Sequence, residues 1–156
     1  QVEVTIDDNL WDILDAKVRG HWLKLNWDGN CRPSSKCRVK ITMESLEEVD
    51  ISGAGDVVIS DFQGHKFKYR LSGAGDLEMD GNVDILDIRI SGAGEADTQE
   101  LKAKNVKVNI SGAGNASVFA KESLRGSISG VGNLSYFGDP EDVDTNVSGL
   151  GHIKRK

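Results

Sequence analysis

Long apolar runs are missing from this chain, and proline and cysteine are scarce, with two of each in 156 residues. No stretch approaches the roughly 20 apolar residues that a membrane-crossing helix needs. Two sulfurs, on Cys31 and Cys37, do not make a four-ligand structural zinc site. Eighteen glycines beside so little proline exclude collagen and a Pro-rich linker, and point to one backbone geometry repeated many times. Basic residues are outnumbered, 19 against 25 acidic, for a net charge of −6. That balance speaks against nucleic acid or an anionic lipid surface as partner. The basic tail Lys154, Arg155, Lys156 reads as a solvated end. No Gly-x-x-x-x-Gly-Lys-Ser/Thr loop occurs, so neither a nucleotide nor any other cofactor is expected.

What the chain does have is a repeat. The tetrad Ser-Gly-x-Gly begins at Ser52, Ser72, Ser91, Ser111, Ser129 and Ser148, at spacings of 18 to 20 residues. Its glycines are Gly53, Gly55, Gly73, Gly75, Gly92, Gly94, Gly112, Gly114, Gly130, Gly132, Gly149 and Gly151. The residue before each tetrad is always apolar: Ile51, Leu71, Ile90, Ile110, Ile128, Val147. Stepping back by twos meets Tyr69 and Phe67, Ile88 and Leu86, or Val108 and Val106, with polar residues between. After the tetrad the same parity resumes at Val57, Leu77, Ala96, Ala116, Leu134 and Ile153. Period-2 alternation with branched and aromatic side chains is the pattern of a half-buried strand, not of a helix. The glycines keep inward parity, which predicts structural turn positions at a bend with no side chain inside it.

A unit of about 19 residues cannot bury its apolar face alone, so copies must stack. The expected fold is all-β: a single-domain, right-handed parallel β-helix (β-solenoid) with about 19-residue coils. Residues 46–156 form the regular repeats. Residues 1–45 are expected as irregular N-terminal coils of the same domain, with Leu10 to Val18 either a short helix or an irregular strand. Within them Cys31 and Cys37 flank a Pro/Ser turn, which suits either a disulfide in an oxidising compartment or two free thiols.

Ser-Gly-Ala-Gly-Asp followed by alternating apolar residues, copied at this period, resembles the GIN domain family, adhesin-type head domains of Gram-negative autotransporters. The resemblance is strongest over residues 36–156. It implies a right-handed parallel β-helix, an export signal in the precursor, and a periplasmic, outer-membrane-surface or extracellular location; a start at Gln1 rather than Met is compatible with processing. It carries over no catalytic residue.

Three features invite a functional reading. Asp56, Asp76 and Glu95 follow the second glycine of successive tetrads and would stack about 5 Å apart, a spacing that a divalent cation could bridge. The column decays to Asn115, Asn133 and His152, so a turn role through side-chain bonds to backbone is the alternative. Trp11, Trp22 and Trp27 are the tryptophans. Trp22 alternates with Lys24 and Asn26 and is expected outward, either to stack on a ligand or to cover a solenoid end, whereas Trp27 shares the parity of Leu23 and Leu25 and is expected in the core. His21, His65 and His152 show no nucleophile–base spacing, so no enzyme is expected. The function read from the chain is a non-catalytic envelope or surface scaffold that binds a glycan or protein. The alternatives are an assembly element that self-associates and a carbohydrate-active β-helix enzyme.

Overall fold

The computed structural model describes residues 2–5, 14–27 and 38–156. The chain divides into two compact units, Gln1–Glu44 and Ser45–Lys156. In the first, β1 (Val2–Thr5) pairs antiparallel with β4 (Arg38–Ile41), and β2 (Leu14–Arg19) with β3 (Trp22–Trp27). The β2–β3 turn is Gly20-His21. Gly20 has φ of 61° while His21 keeps negative φ, the type II′ combination that suits strand twist. These pairings differ from the irregular coils expected for residues 1–45. A two-residue turn reverses the chain at once, whereas a coil pairs only after a full winding. Trp11, Cys31 and Cys37 lie outside the described residues.

The second unit is a parallel β-solenoid. Its strands are β5 (Glu48–Ile51), β6 (Val57–Leu71), β7 (Leu77–Ile90), β8 (Ala93–Ile110), β9 (Ala113–Ile128), β10 (Val131–Phe137), β11 (Asp142–Val147) and β12 (Leu150–Arg155). They pair in parallel in the order β5-β6-β7-β8-β9-β10-β12, with β11 also on β9. Like residue lies over like. Leu71 pairs with Ile90, Ile90 with Ile110, and Ile110 with Ile128. Leu77, Ala96, Ala116 and Leu134 stack in the same way on the other side of the tetrad.

These inward columns are the core. Phe67, Leu86 and Leu124 are fully buried, as are Tyr69 and Ile88. At roughly 25 cal/mol per Å² of buried apolar surface, each such rung stabilises by about 1.5–3 kcal/mol. The rings of Phe62 and Phe67 meet edge-on, centroids 5.3 Å apart, where the chain turns back toward the core. Thr98 is the buried polar exception, and its hydroxyl donates to the Ser117 carbonyl at 3.1 Å.

The tetrad corner is held from coil to coil. The N–H groups of Ser72 and Gly73 both donate to the Ile51 carbonyl, at 2.9 and 3.2 Å, and Ala74 N–H donates to Gly53 at 2.9 Å. The same pair of bonds recurs from Ser91 and Gly92 to Leu71, and onward to Ser148 and Gly149 on Ile128. Such close stacking explains the glycines in a direction that alternation does not show. A Cβ on Gly73 would overlap the Gly53 carbonyl oxygen, and one on Gly132 would overlap that of Gly114. The forbidden space therefore lies along the solenoid axis, against the backbone of the preceding coil.

The far corner is looser. Register slips between Ile59 and Phe62 of β6, between Glu78 and Gly81 of β7, and between Thr98 and Lys102 of β8. Asp61 takes a φ of 57° here, and Gly81 one of 125°. The variation of coil length between 18 and 20 residues is absorbed in these bulges.

Candidate functional site

The solenoid's outward residues fall into columns on either side of the tetrad. On the side after it, Asp56, Asp76, Glu95, Asn115, Asn133 and His152 succeed one another, with Glu95 over Asn115 and Asn133 under His152 in direct register. The Asp56 and Asp76 carboxylates are engaged by backbone, whereas that of Glu95 is not. Asp76 N–H donates to Asp56 Oδ1 at 3.1 Å, and Glu95 N–H to Asp76 Oδ1 at 2.8 Å. Asn133 repeats the bond through both its backbone N–H and its Nδ2, at 3.0 and 3.2 Å to Asn115 Oδ1. Asn serves here as well as Asp because the position needs one acceptor, not a charge. Among the described residues, no group of three acidic, histidine or cysteine side chains is arranged to hold a metal ion.

Inside this corner lies Tyr69. Its hydroxyl is buried and has no hydrogen-bond partner among the described residues. Burial, reinforced by the Asp76 and Asp56 charges, pushes its pKa up to about 12.

A shallow groove follows the tetrad edge, with Asn115, Asn133 and His152 on one bank and Ala113, Val131 and Leu150 on the other. The third tetrad residue grows from Ala to Val131 and Leu150 in the last two coils, and both side chains are exposed, Leu150 at 76%. The sequence displays that growth, but alternation alone does not say that this position faces solvent.

On the side before the tetrad the columns mix both signs of charge. Glu48, Lys68, Asp87, Lys107, Arg125 and Asp144 form one, and Asp50, Arg70, Arg89, Asn109, Ser127 and Asn146 the next. Arg70 lies 3.4 Å from Glu48, and Arg89 forks onto Asp87 with two bonds of 3.3 Å. Lys107 and Arg125, on consecutive rungs, are exposed. Neither forms an ion pair with any described residue. A second shallow groove beside this wall is lined by Asp50, Arg70, Arg89, Asn109 and the tetrad serines Ser72, Ser91 and Ser111.

Toward the far corner, Asp84 accepts from Lys104 Nζ and contacts His65 Nδ1, each at 2.7 Å. The bond to Lys104, then that to His65, holds the Asp84 carboxyl below its usual range, and the same contact raises the Lys104 ammonium. Lys102 Nζ sits 4.0 Å from the centre of the Phe119 ring. Trp22, in the other unit, is 51% exposed, while the side chain of Trp27 lies outside the described ones.

The family described as "Putative auto-transporter adhesin, head GIN domain" matches residues 1–140. No curated protein is similar enough to count as a relative. Among solved structures, the chain is similar to a "putative adhesin" from Bacteroides fragilis, with 21% identity and a TM-score of 0.77 over 99% of this chain and 82% of that one. It is also similar to a "Putative lipid binding protein" from Parabacteroides distasonis, with 24% identity and a TM-score of 0.52 over 98% of this chain and 83% of that one. At such identities the likeness bears on fold. The family match is of another kind: it runs through the N-terminal unit and all but the last of the tetrads, and by it the chain belongs to the GIN domain family.

Proposed function

We propose that this chain is a non-catalytic binding and display module of the bacterial envelope, exported to the periplasm, outer membrane surface or exterior, where it engages a glycan or protein. One observation carries the reading: every coil places equivalent outward side chains in rows with a fixed rise of about 4.8 Å, a stiff wall suited to many weak contacts made together. The family description as an adhesin head supports it. So does the use of Asp56 and Asp76 as backbone acceptors, which takes those groups away from acid–base work. Labelled chain should bind saturably to a glycan array or to intact cells. Empty results from both would overturn the proposal. For the compartment, intact mass with and without reductant should differ by two hydrogens, about 2 Da, if the Cys31–Cys37 bridge forms.

A second reading, self-association, draws on the last coil. Val143 and Val147 continue inward columns yet are 43% and 41% exposed. A second copy stacked there would cover them. Light scattering that stays monomeric at high protein concentration would rule that reading out.

A further inference from the structure

We infer that the wall before the tetrad, centred on Lys107 and Arg125, binds the carboxylate or sulfate groups of an acidic polysaccharide. The inference rests on the binding reading above and names its ligand class. Lys107 and Arg125 pair directly across β8 and β9, so their charges stand about one strand spacing apart. Like charges on facing rungs repel. Of the neighbouring carboxylates, Asp87 on the rung before Lys107 is taken by Arg89, and Asp144 on the rung after Arg125 makes no ion pair with it. An anion set between Lys107 and Arg125 relieves that repulsion.

The surroundings extend the site. Arg70 and Arg89 also face each other in register, beside the shallow groove. Asn109 follows Arg89 and Ser127 follows Asn109 in the same column, and neither side chain has a hydrogen bond with a described residue. Arg70 and Arg89 are bridged to Glu48 and Asp87, so the unpaired cations of the two columns are Lys107 and Arg125; with the free amide and hydroxyl of Asn109 and Ser127 beside them, they suit a polymer that carries charges at intervals and hydroxyls elsewhere. The wall holds six cations, Lys66, Lys68, Arg70, Arg89, Lys107 and Arg125, against four carboxylates, Glu48, Asp50, Asp87 and Asp144; Glu48 bridges Lys68 and Arg70, Asp87 bridges Arg89, and Lys66, Lys107 and Arg125 have no ion-pair partner among the described residues. On this mixed wall the uncompensated positive charge is therefore concentrated at Lys107 and Arg125. A membrane surface fits less well, because the large apolar side chain exposed on that wall is Ile85, at 37%, with no aromatic beside it to insert.

The experiment measures binding of the full chain to polygalacturonate, dextran sulfate and neutral dextran, and to phosphatidylglycerol vesicles. Polygalacturonate and dextran sulfate should bind and weaken as salt rises, while dextran should not bind. K107E/R125E, with K107Q/R125Q as the milder pair, should lower affinity for both acidic polymers by about tenfold or more, consistent with several exposed ion pairs acting together. D76N, beyond the tetrad, should leave binding unchanged. Acidic polymers that fail to bind at low salt, or bind both double variants as well as wild type, would overturn the inference, as would binding to the vesicles alone. Cell binding that survives K107E/R125E removes this ligand assignment and leaves the surface-binding proposal standing. Polymer binding without any binding to cells does the reverse.

Discussion

The column Asp56, Asp76, Glu95 and the column Lys107, Arg125 flank the same Ser-Gly-x-Gly corner and share one rise per coil, yet they handle charge in opposite ways. After the tetrad, one oxygen of Asp56 and one of Asp76 are committed to the backbone of the next coil. Before it, two neighbouring cations project with no ion-pair partner among the described residues. Identical stacking thus makes one column part of the scaffold and leaves the other available to something outside it. In a solenoid, equivalence of position does not imply equivalence of role.

The strongest way to break the comparison is to destroy the corner that sets both spacings. Gly92→Ala places a methyl against the Gly73 carbonyl, where backbone cannot yield. Loss of about 3 kcal/mol or more is expected, or failure to fold, read from urea unfolding. A variant as stable as wild type would mean that the corner is not close-packed.

Tyr69→Phe asks how far the acidic side reaches inward. Removing a buried hydroxyl without a partner should leave stability unchanged or raise it by about 1 kcal/mol. The pH response is the sharper readout. The folded pKa of about 12 lies above the unfolded value of about 10, so the neutral phenol's contribution is complete below pH 10 and is lost as pH rises toward 12. Wild type should lose stability across that window more steeply than Tyr69→Phe, as followed by circular dichroism.

Asp76→Ala should cost about 1 kcal/mol, since it orphans the Glu95 N–H, whereas Asp76→Asn should cost much less because it keeps the acceptor. Equal losses would show that charge, not acceptance, matters there. The smallest effect belongs to the far corner. Lys104→Met should move the Asp84 carboxyl pKa upward toward its ordinary value in an NMR titration, with little change in melting temperature, because the pair is solvent-exposed.

Much of the fold is legible in the chain because period 2 and the tetrad recur in phase. Leu71, Ile90, Ile110 and Ile128 can be aligned by eye, and they do stack. The direction in which Gly73 is constrained is not legible, since its obstacle is a carbonyl 20 residues earlier in the chain. A similar distance hides the bond from Glu95 N–H to Asp76, so in a column that looks like a cation ladder Asp56 and Asp76 serve as backbone acceptors. Lys107 and Arg125 are 18 residues apart and become neighbours only once the bulge after Ala103 fixes the register. The antiparallel ribbons of β1 to β4 escape for another reason: Leu23-Lys24-Leu25 alternates equally well in either pairing direction, and only the Gly20-His21 turn decides it.

The bulged far corner has a consequence for how such chains can change. Because the tetrad side is locked by backbone bonds while the opposite bend already tolerates one to three surplus residues, inserted segments can enter near Asp61, Asp80 or Gln99 and bow outward with the ladders on both flanks intact. That bend is the natural place to graft a foreign peptide, and lineages that need new loops can lengthen there without relearning how to wind.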